Sequence, residues 1–460
     1  MSETQTDDQA LARVLAHIDA RRDDYVRRVM DYVRHPSISA QNIGIAEVGA
    51  LLLDMLGALG LEAQALPTAR HPMILGRRTD RPGAPTVILY GHYDVQPPDP
   101  LDQWLSPPFE PTIRDGRIYA RGIGDNKGQH FAQLMAIEAH LAVHGALPCN
   151  VIVLLEGEEE IGSPHIADFV RQHADKLQAD LVVTADGPLH RSGAPVVNFG
   201  VRGVASFELR ARTAKRDMHS GNFGGVAPNA IWTLVHLLAT MKNAAGEITI
   251  EGLHDPIVAP SEAERRAAAA LPLDLAGAMQ EIGVARLDAP AARPFYDRLM
   301  FHPTLTINGL HGGYGGAGSK TVLPAEAIAK CDIRLVEAMT PQQVFEKVAA
   351  HVARHAPEVE FVAQGGMLPS KTPFESRFAP AVVAAMRAGF GVEPLLFPAL
   401  GGSLPDYVFT KILGLPAFGT PYANADEANH APNENLSLDC FHNGIRSGAA
   451  LLAELGRMRV

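Results

Sequence analysis

Apolar residues near the start of this chain fall at helical spacing. Leu11, Val14, Leu15 and Ile18 form one stripe and Val26, Val29, Met30 and Val33 another, which predicts helix over about residues 9–33. His35-Pro36 ends it, because proline disfavours helix at the residue before it. A second helix is expected over 45–59, closed by Gly60. The pattern then changes. Residues 86–90, 150–155 and 180–184 are short apolar runs, as expected of strands buried on both faces. Between the first two, residues 127–143 read as a helix with Phe131, Leu134, Met135, Ile137 and Leu141 inward. Strands alternating with helices imply an α/β sheet with helices on both faces.

From about Val201 the texture differs. Residues 204–211 alternate like a half-exposed strand, 229–241 read as helix, and 259–292 are Ala-rich, helical and poor in candidate ligands. Strands near 305–307 and 328–335 and a helix near 342–355 complete a compact α+β pattern. After Pro373 the α/β texture returns. The fold expected is therefore α/β, with a first domain (1–202 and 378–460) interrupted by an inserted α+β domain (203–377), since 460 residues exceed the usual limit of one core.

Composition narrows the function without naming it. Hydrophobic content of 47% and charged content of 20% are ordinary for a globular protein, and a net charge of −11 argues against nucleic acid as a partner. No run approaches the ~20 apolar residues of a membrane span, and the polar, acidic opening Met-Ser-Glu-Thr lacks the pattern of a secretory signal. Three widely spaced cysteines, Cys149, Cys331 and Cys440, offer neither a disulfide framework nor a zinc finger. A cytoplasmic protein is expected.

The chemistry lies in five short polar segments, most of them just after the apolar runs, where active sites of open α/β sheets gather. They are Gly-His92-Tyr-Asp94-Val-Gln-Pro, Gly-Asp125-Asn-Lys-Gly, Glu158-Glu159-Glu160-Ile-Gly-Ser, Thr-Ala-Asp186-Gly-Pro and Ala-Asn-His430-Ala-Pro. Each has a bland reading: a strand cap, a helix N-cap, a solvated acidic loop or a surface histidine. Together they suit a pair of hydrolytic metal ions. His92 and Asp94, two apart on a strand, point to one face, so the carboxylate can orient a metal-bound imidazole. Asp125, between glycines, has two oxygens with which to bridge two ions. Two useful glutamates in the Glu158–Glu160 run require a turn, one to ligate and one to handle a proton; the residues alone do not say which. Four positive charges from two divalent ions would meet Asp125, Glu160, Asp186 and a bridging hydroxide, leaving the site neutral with His92 and His430 uncharged. Ligands of nitrogen and oxygen without thiolate suit zinc, with manganese or cobalt as alternatives. Two glycine-rich segments are decoys. Gly313-Tyr-Gly315-Gly-Ala-Gly318 does not open a helix as a dinucleotide fingerprint must, and Gly401-Gly-Ser403-Leu-Pro lacks the second glycine of a nucleophile elbow.

From about residue 86 to the C-terminus these motifs resemble, in order, those of the co-catalytic zinc peptidase family that includes carnosine dipeptidases, cytosolic nonspecific dipeptidases, glutamate carboxypeptidases, aminoacylases, acetylornithine deacetylases and succinyl-diaminopimelate desuccinylases. The resemblance implies a phosphorylase/hydrolase-like catalytic domain with a central mixed sheet, and an inserted lid that also dimerises. It implies that Glu159 is the general base and Glu160 a ligand. It implies one metal on His92, Asp125 and Glu160, the other on Asp125, Asp186 and His430, with Asp94 orienting His92 and the Asp125–Asn126 peptide cis. Asp217-Met-His219 resembles the segment whose histidine reaches the partner subunit's site. Thr321, Arg334, Gly402 and Ser403 match substrate-contacting positions, Arg334 being the one that binds a carboxylate.

The implied activity is hydrolysis of an amide bond in dipeptides or small peptides with a free C-terminal carboxylate, by a hydroxide bridging two metals, in a homodimer. An N-acyl amino acid deacylase or a silent metal-stabilised binding protein would use the same ligands. Where carnosine-type enzymes have histidine before a Gly-Gly, this chain has Gln364-Gly365-Gly366, which argues against carnosine-like specificity.

Overall fold

The computed structural model describes residues 3–285, 287 and 295–459. Positions 286 and 288–292 of the Ala-rich stretch lie outside them. The chain divides into two compact units. One comprises Met1–Gly200, Thr372–Phe397 and Val408–Val460; the other comprises Val201–Lys371 and Pro398–Tyr407.

The first unit is built on an eight-stranded mixed sheet, in agreement with the α/β expectation. Its strands are β1 (Glu62–Leu66), β2 (Met73–Arg78), β3 (Thr86–His92), β4 (Asn150–Glu156), β5 (Leu181–Thr184), β6 (Val196–Asn198), β7 (Leu395–Phe397) and β8 (Ala417–Gly419), in the spatial order β1-β2-β4-β3-β5-β8-β6-β7. The pairs β4/β3, β3/β5 and β5/β8 are parallel. Every residue of β4 is buried, which is why its sequence is a continuous apolar run rather than an alternation. The helices are α1 (Glu3–Ala20), α2 (Arg22–Val33), α3 (Ile45–Ala58), α4 (Gly128–His144), α5 (Ile166–Gln172), α6 (Ala379–Phe390) and α7 (Leu438–Gly456). The two apolar stripes of residues 9–33 belong to α1 and α2, with the break at Arg21. α3 packs on β1 and β2, α4 on β3, and α7 on α1, α4 and α6. One apolar core runs through them, from Val14 and Val29 to Phe131, Val153 and Leu451.

Register puts chemistry at one edge of this sheet. His92 lies opposite Glu156 on β4, and Tyr90 lies opposite Thr184 on β5. Three neighbouring parallel strands thus deliver their C-terminal ends, and the polar segments that follow, side by side.

The second unit is a four-stranded antiparallel sheet, in the order Thr304–Gly312, Glu326–Leu335, Gly203–Arg212, Val359–Met367. Ala205, Phe207, Leu209 and Ala211 alternate inward along the strand Gly203–Arg212, as its sequence predicts. The helices Ala230–Met241 and Pro341–His355 cover this sheet. The first starts at Asn229, whose side chain accepts from the Ile231 and Trp232 amides; the second starts at a capping box between Thr340 and Gln343. Glu262–Ala270 and Leu275–Ile282 are helices of the Ala-rich stretch. The glycine-rich residues 313–318 lie outside helix and strand. No described helix is long and apolar enough to cross a membrane. All three cysteines are free thiols.

Candidate metal centre

His92 ends β3, fully buried. Its Nδ1 lies 3.1 Å from the Asp94 carbonyl oxygen and 3.4 Å from Asp94 Oδ1. A proton on Nδ1 serves both. Nε2 would give its electron pair to a bound metal; without one it donates to Asp125, and although burial opposes it, Asp125 with Asp94 raises the imidazole pKa well above its ordinary value. The Asp94 carboxylate does a second job that its sequence position does not reveal. It accepts from the amides of Glu159 (3.2 Å) and Glu160 (3.0 Å), fixing the short 3₁₀ turn Glu159–Ile161. That turn lets two adjacent glutamates both serve the site.

Asp125 lies in a tight turn before α4, and the Asp125–Asn126 peptide is cis. It does not cap the helix, whose N-cap residue is Lys127. Its two oxygens straddle two imidazoles: Oδ1 is 3.0 Å from His92 Nε2, and Oδ2 is 3.0 Å from His430 Nε2. Asn126 ties the turn to the sheet, accepting from the His92 amide at 3.1 Å and donating to the Ala185 carbonyl. Gly91 makes this possible, because a Cβ there would stand 2.7 Å from Asn126 Oδ1.

Glu160 Oε2 lies 3.1 Å from His430 Nε2 and accepts from Gln96 Nε2 at 3.0 Å. Asp186 Oδ2 lies 3.7 Å from His92 Nε2, and its Oδ1 accepts from the Gly187 amide. Ligand atoms of His92, Asp125 and Glu160 all fall within 4.8 Å of one another. Apart from Asp125, however, the carboxylate nearest His430 Nε2 is Glu160 and the one nearest His92 Nε2 is Asp186. His430 itself has a left-handed backbone (φ 56°), a conformation that non-glycine residues adopt rarely and at a cost. Buried Asn435 holds this loop, donating to the carbonyls of Asp426, Glu427 and Asn433.

All five predicted ligands therefore converge, and the donors fit a pair of divalent cations: two imidazole nitrogens, one carboxylate reaching both, and two flanking carboxylates. The electrostatics agree. Burial pushes Glu160 up to about 7 and Asp186 up to about 6, with Asp125 adding to both. Burial also raises the Glu159 carboxyl well above its ordinary value, reinforced by Asp186, Asp125 and Glu160. Asp125 goes the other way: burial opposes its charge, but His430 and His92 hold it well below the usual carboxylate range. A packed group of carboxylates that resists ionisation is what a strong cation would relieve.

Asp125 and Glu160 push the His430 imidazole up to about 10, so a proton competes with any metal there. A metal needs the neutral ring, and the ring is protonated below its pKa. Apparent metal affinity should therefore climb as pH rises towards 10, and metal uptake should release protons. Calorimetric titration in buffers of differing ionisation enthalpy counts those protons. An affinity flat between about pH 6 and 9, with no proton released, would refute a protonated His430 in the metal-free centre.

The other predicted residues lie in the second unit, in two pairs. Arg334 Nη1 donates to Ser403 Oγ at 2.8 Å, and Gly402 precedes that serine. His219, exposed on a two-residue strand paired with Val322, accepts at Nδ1 from the Gly221 amide, which leaves its proton on Nε2. Nε2 lies 3.5 Å from Thr321 Oγ1.

Three residues of the centre escape sequence reasoning. Gln96 and Asn126 sit inside motifs whose recognisable ligand chemistry belongs to their neighbours. Glu434, four residues beyond His430 in Ala-Pro-Asn-Glu434, is fully buried and accepts from the amides of Gly122, Gly124 and Asp125 and from Arg121 Nη1. It holds the turn that carries Asp125.

Residues 88–454 match the family described as Peptidase family M20/M25/M40. The chain belongs to that family. Among its relatives is the β-Ala-His dipeptidase of Homo sapiens, 29% identical over 473 residues that cover 97% of this chain and 93% of that protein. Another is the Cys-Gly metallodipeptidase of Schizosaccharomyces pombe, 29% identical over 470 residues covering 97% and 98%. An M20 family metallo-carboxypeptidase from Sulfolobus solfataricus has the same fold, with a TM-score of 0.87, 32% identity, and coverage of 94% of this chain and 99% of that one. The expected family and fold thus hold for this M20 peptidase.

Proposed function

We propose that this M20 peptidase hydrolyses dipeptides or small peptides with a free C-terminal carboxylate, using two divalent cations per subunit, zinc being the best match to the ligands. The observation that carries this is Asp125, whose two oxygens each lie 3.0 Å from a different imidazole nitrogen. The relatives' names point the same way, two being dipeptidases and one a carboxypeptidase. The contacts support His92, Asp125 and Asp186 around one ion and His430, Asp125 and Glu160 around the other. This exchanges Glu160 and Asp186 relative to the partition that the family resemblance suggested.

Bound cations would supply Lewis acidity, bringing the pKa of water from ~15.7 towards ~7. The residues do the rest. Glu159, whose carboxylate has a raised pKa and makes no hydrogen bond or ion pair among the described residues, takes the proton of the attacking water and returns it to the leaving nitrogen. His219 presents Nε2–H to the developing oxyanion. Arg334, its fork steadied on Ser403, pairs with the substrate carboxylate. We further propose a cytoplasmic homodimer formed through the second unit, with His219 serving the partner's site.

One panel tests the activity: dipeptides, their C-terminal amides, and N-acetyl, N-succinyl and N-carbamoyl amino acids, assayed with zinc, manganese and cobalt. Dipeptides should be cleaved and their amides cleaved poorly. Turnover confined to N-acyl amino acids would make the enzyme a deacylase, and no turnover with two bound metals would make it a binding protein. The sharing of His219 is tested by mixing Glu159→Gln and His219→Ala subunits. Half of randomly paired dimers are mixed, and each holds one complete site, so activity should return to about a quarter of wild type. Verified mixed dimers with no activity would refute the sharing.

A further inference from the structure

Arg202 stands at the start of the second unit, two residues before the strand position, Val204, that pairs with Arg334. It is only 6% exposed, yet among the described residues no carboxylate lies within ion-pair distance of it. Its donors go instead to three consecutive carbonyls. The backbone amide donates to Leu400 O (3.2 Å) and Gly402 O (3.1 Å), while Nε and Nη2 both donate to Gly401 O, at 2.9 and 2.7 Å. Nη1 is buried with no hydrogen-bond partner. The next residue along the gripped segment, Ser403, is the one that holds Arg334. Two guanidiniums thus clamp one short segment, that of Arg202 by the Gly401 carbonyl and that of Arg334 by the Ser403 hydroxyl, while the Arg202 backbone amide holds the carbonyls on either side of Gly401.

The charges have a direction. Burial, and then the nearby Arg334 charge, bring Arg202 down to about 10, with Asp332 acting against them. Asp332 Oδ1 lies 3.6 Å from Arg334 Nε and is the one carboxylate at ion-pair distance from either arginine among the described residues. Two buried or half-buried cations sharing one anion carry a surplus of positive charge, and a buried cation without a partner is costly unless an anion arrives.

We infer that Arg202 is a positioning residue for the substrate's C-terminal carboxylate: it fixes the Gly401–Ser403 backbone beside Arg334 and adds a second positive charge that favours an anionic substrate end over a neutral one. This rests on the reading of Arg334 as the carboxylate-binding group. Arg202 touches no substrate atom, because its free nitrogen is shielded from solvent. Its planar fork is what places two donors on one carbonyl. A lysine keeps the charge but offers no fork.

The test uses the metal-loaded full-length enzyme, a dipeptide and the same dipeptide amidated at its C-terminus. Arg202→Lys should raise KM for the free acid about tenfold and Arg202→Met about a hundredfold, with kcat and the amide's KM each within about threefold of wild type. Adding Ser403→Ala to Arg202→Met should cost less than Ser403→Ala costs alone, because the segment is already loose. If Arg202→Met does not fold, Arg202→Lys decides. An unchanged KM in Arg202→Lys, an equal rise for acid and amide, or a loss in kcat alone would reduce Arg202 to a scaffold residue and overturn the inference. Arg334→Met separates the two levels. If it abolishes the preference for the acid and Arg202→Lys does not weaken that preference, only this inference fails. If wild type shows no preference for the acid, or Arg334→Met leaves one intact, the reading of Arg334 fails and takes this inference with it.

Discussion

Glu159→Gln should lower kcat by about 10²–10⁴-fold while leaving two metal ions per subunit in place. The two glutamates of the turn are adjacent in sequence but differ in surroundings. Glu160 is tied down by Gln96 and faces His430 at 3.1 Å. Glu159 is held only through its backbone, its amide donating to Asp94 and its carbonyl accepting from the Gly162 amide, and its carboxylate makes no hydrogen bond or ion pair among the described residues. A group used as a ligand has its oxygens committed, whereas a group that must take a proton from water and give it to nitrogen needs them free. Burial, reinforced by Asp186, Asp125 and Glu160, raises its pKa and makes it a better base than a solvated carboxylate. Glutamine keeps the shape and removes the basicity. Steady-state kinetics with metal analysis on the same preparation separate the cases. Turnover within tenfold of wild type would place the base elsewhere, and loss of one metal would make Glu159 a ligand.

The apolar runs at 86–90, 150–155 and 180–184 are plain in the sequence because those strands are buried on both faces, so periodicity and burial say the same thing. Their polar followers are legible for a related reason, since a parallel sheet gathers the residues after its strands at one edge. β1 and β2 are not legible. Glu62–Leu66 is an edge strand whose alternation rests on two alanines, and Met73–Arg78 offers only Met-Ile-Leu before Gly-Arg-Arg, so both signals are short and weak. The strand Val359–Met367 ends on Gln-Gly-Gly-Met and bulges opposite Ser206 and Phe207, which breaks its period. Ligand identity follows from residue type, but ligand pairing depends on which side chains meet across separate loops. The contacts of Glu160 with His430 and of Asp186 with His92 are set by the Asp94-anchored turn and the left-handed backbone at His430, neither of which is a pattern in the chain. The hydrogen bond from Gly124 to Glu434 joins residues 310 positions apart, and no local signal in Ala-Pro-Asn-Glu announces it.

That distant carboxylate carries the second large effect. Glu434→Ala should destabilise the metal-free protein by about 3–5 kcal/mol, the usual cost of breaking a buried ion pair from one side. Arg121, 1% exposed, would be left with a buried charge, and the amides of Gly122, Gly124 and Asp125 would lose their acceptor together. The amide of Asp125 is among them, so the side chain that straddles both imidazoles would lose its anchor and metal content should fall as well. Replacing both charged partners by apolar residues, Glu434→Met with Arg121→Met, should recover part of the lost stability, because no unpaired charge remains, but should not restore the metals, because the three amides still have no acceptor. Urea unfolding after chelation measures the first effect and metal analysis the second. A Glu434→Ala protein within about 1 kcal/mol of wild type and fully loaded with metal would mean that the Asp125 turn holds itself, and that Glu434 is only packing.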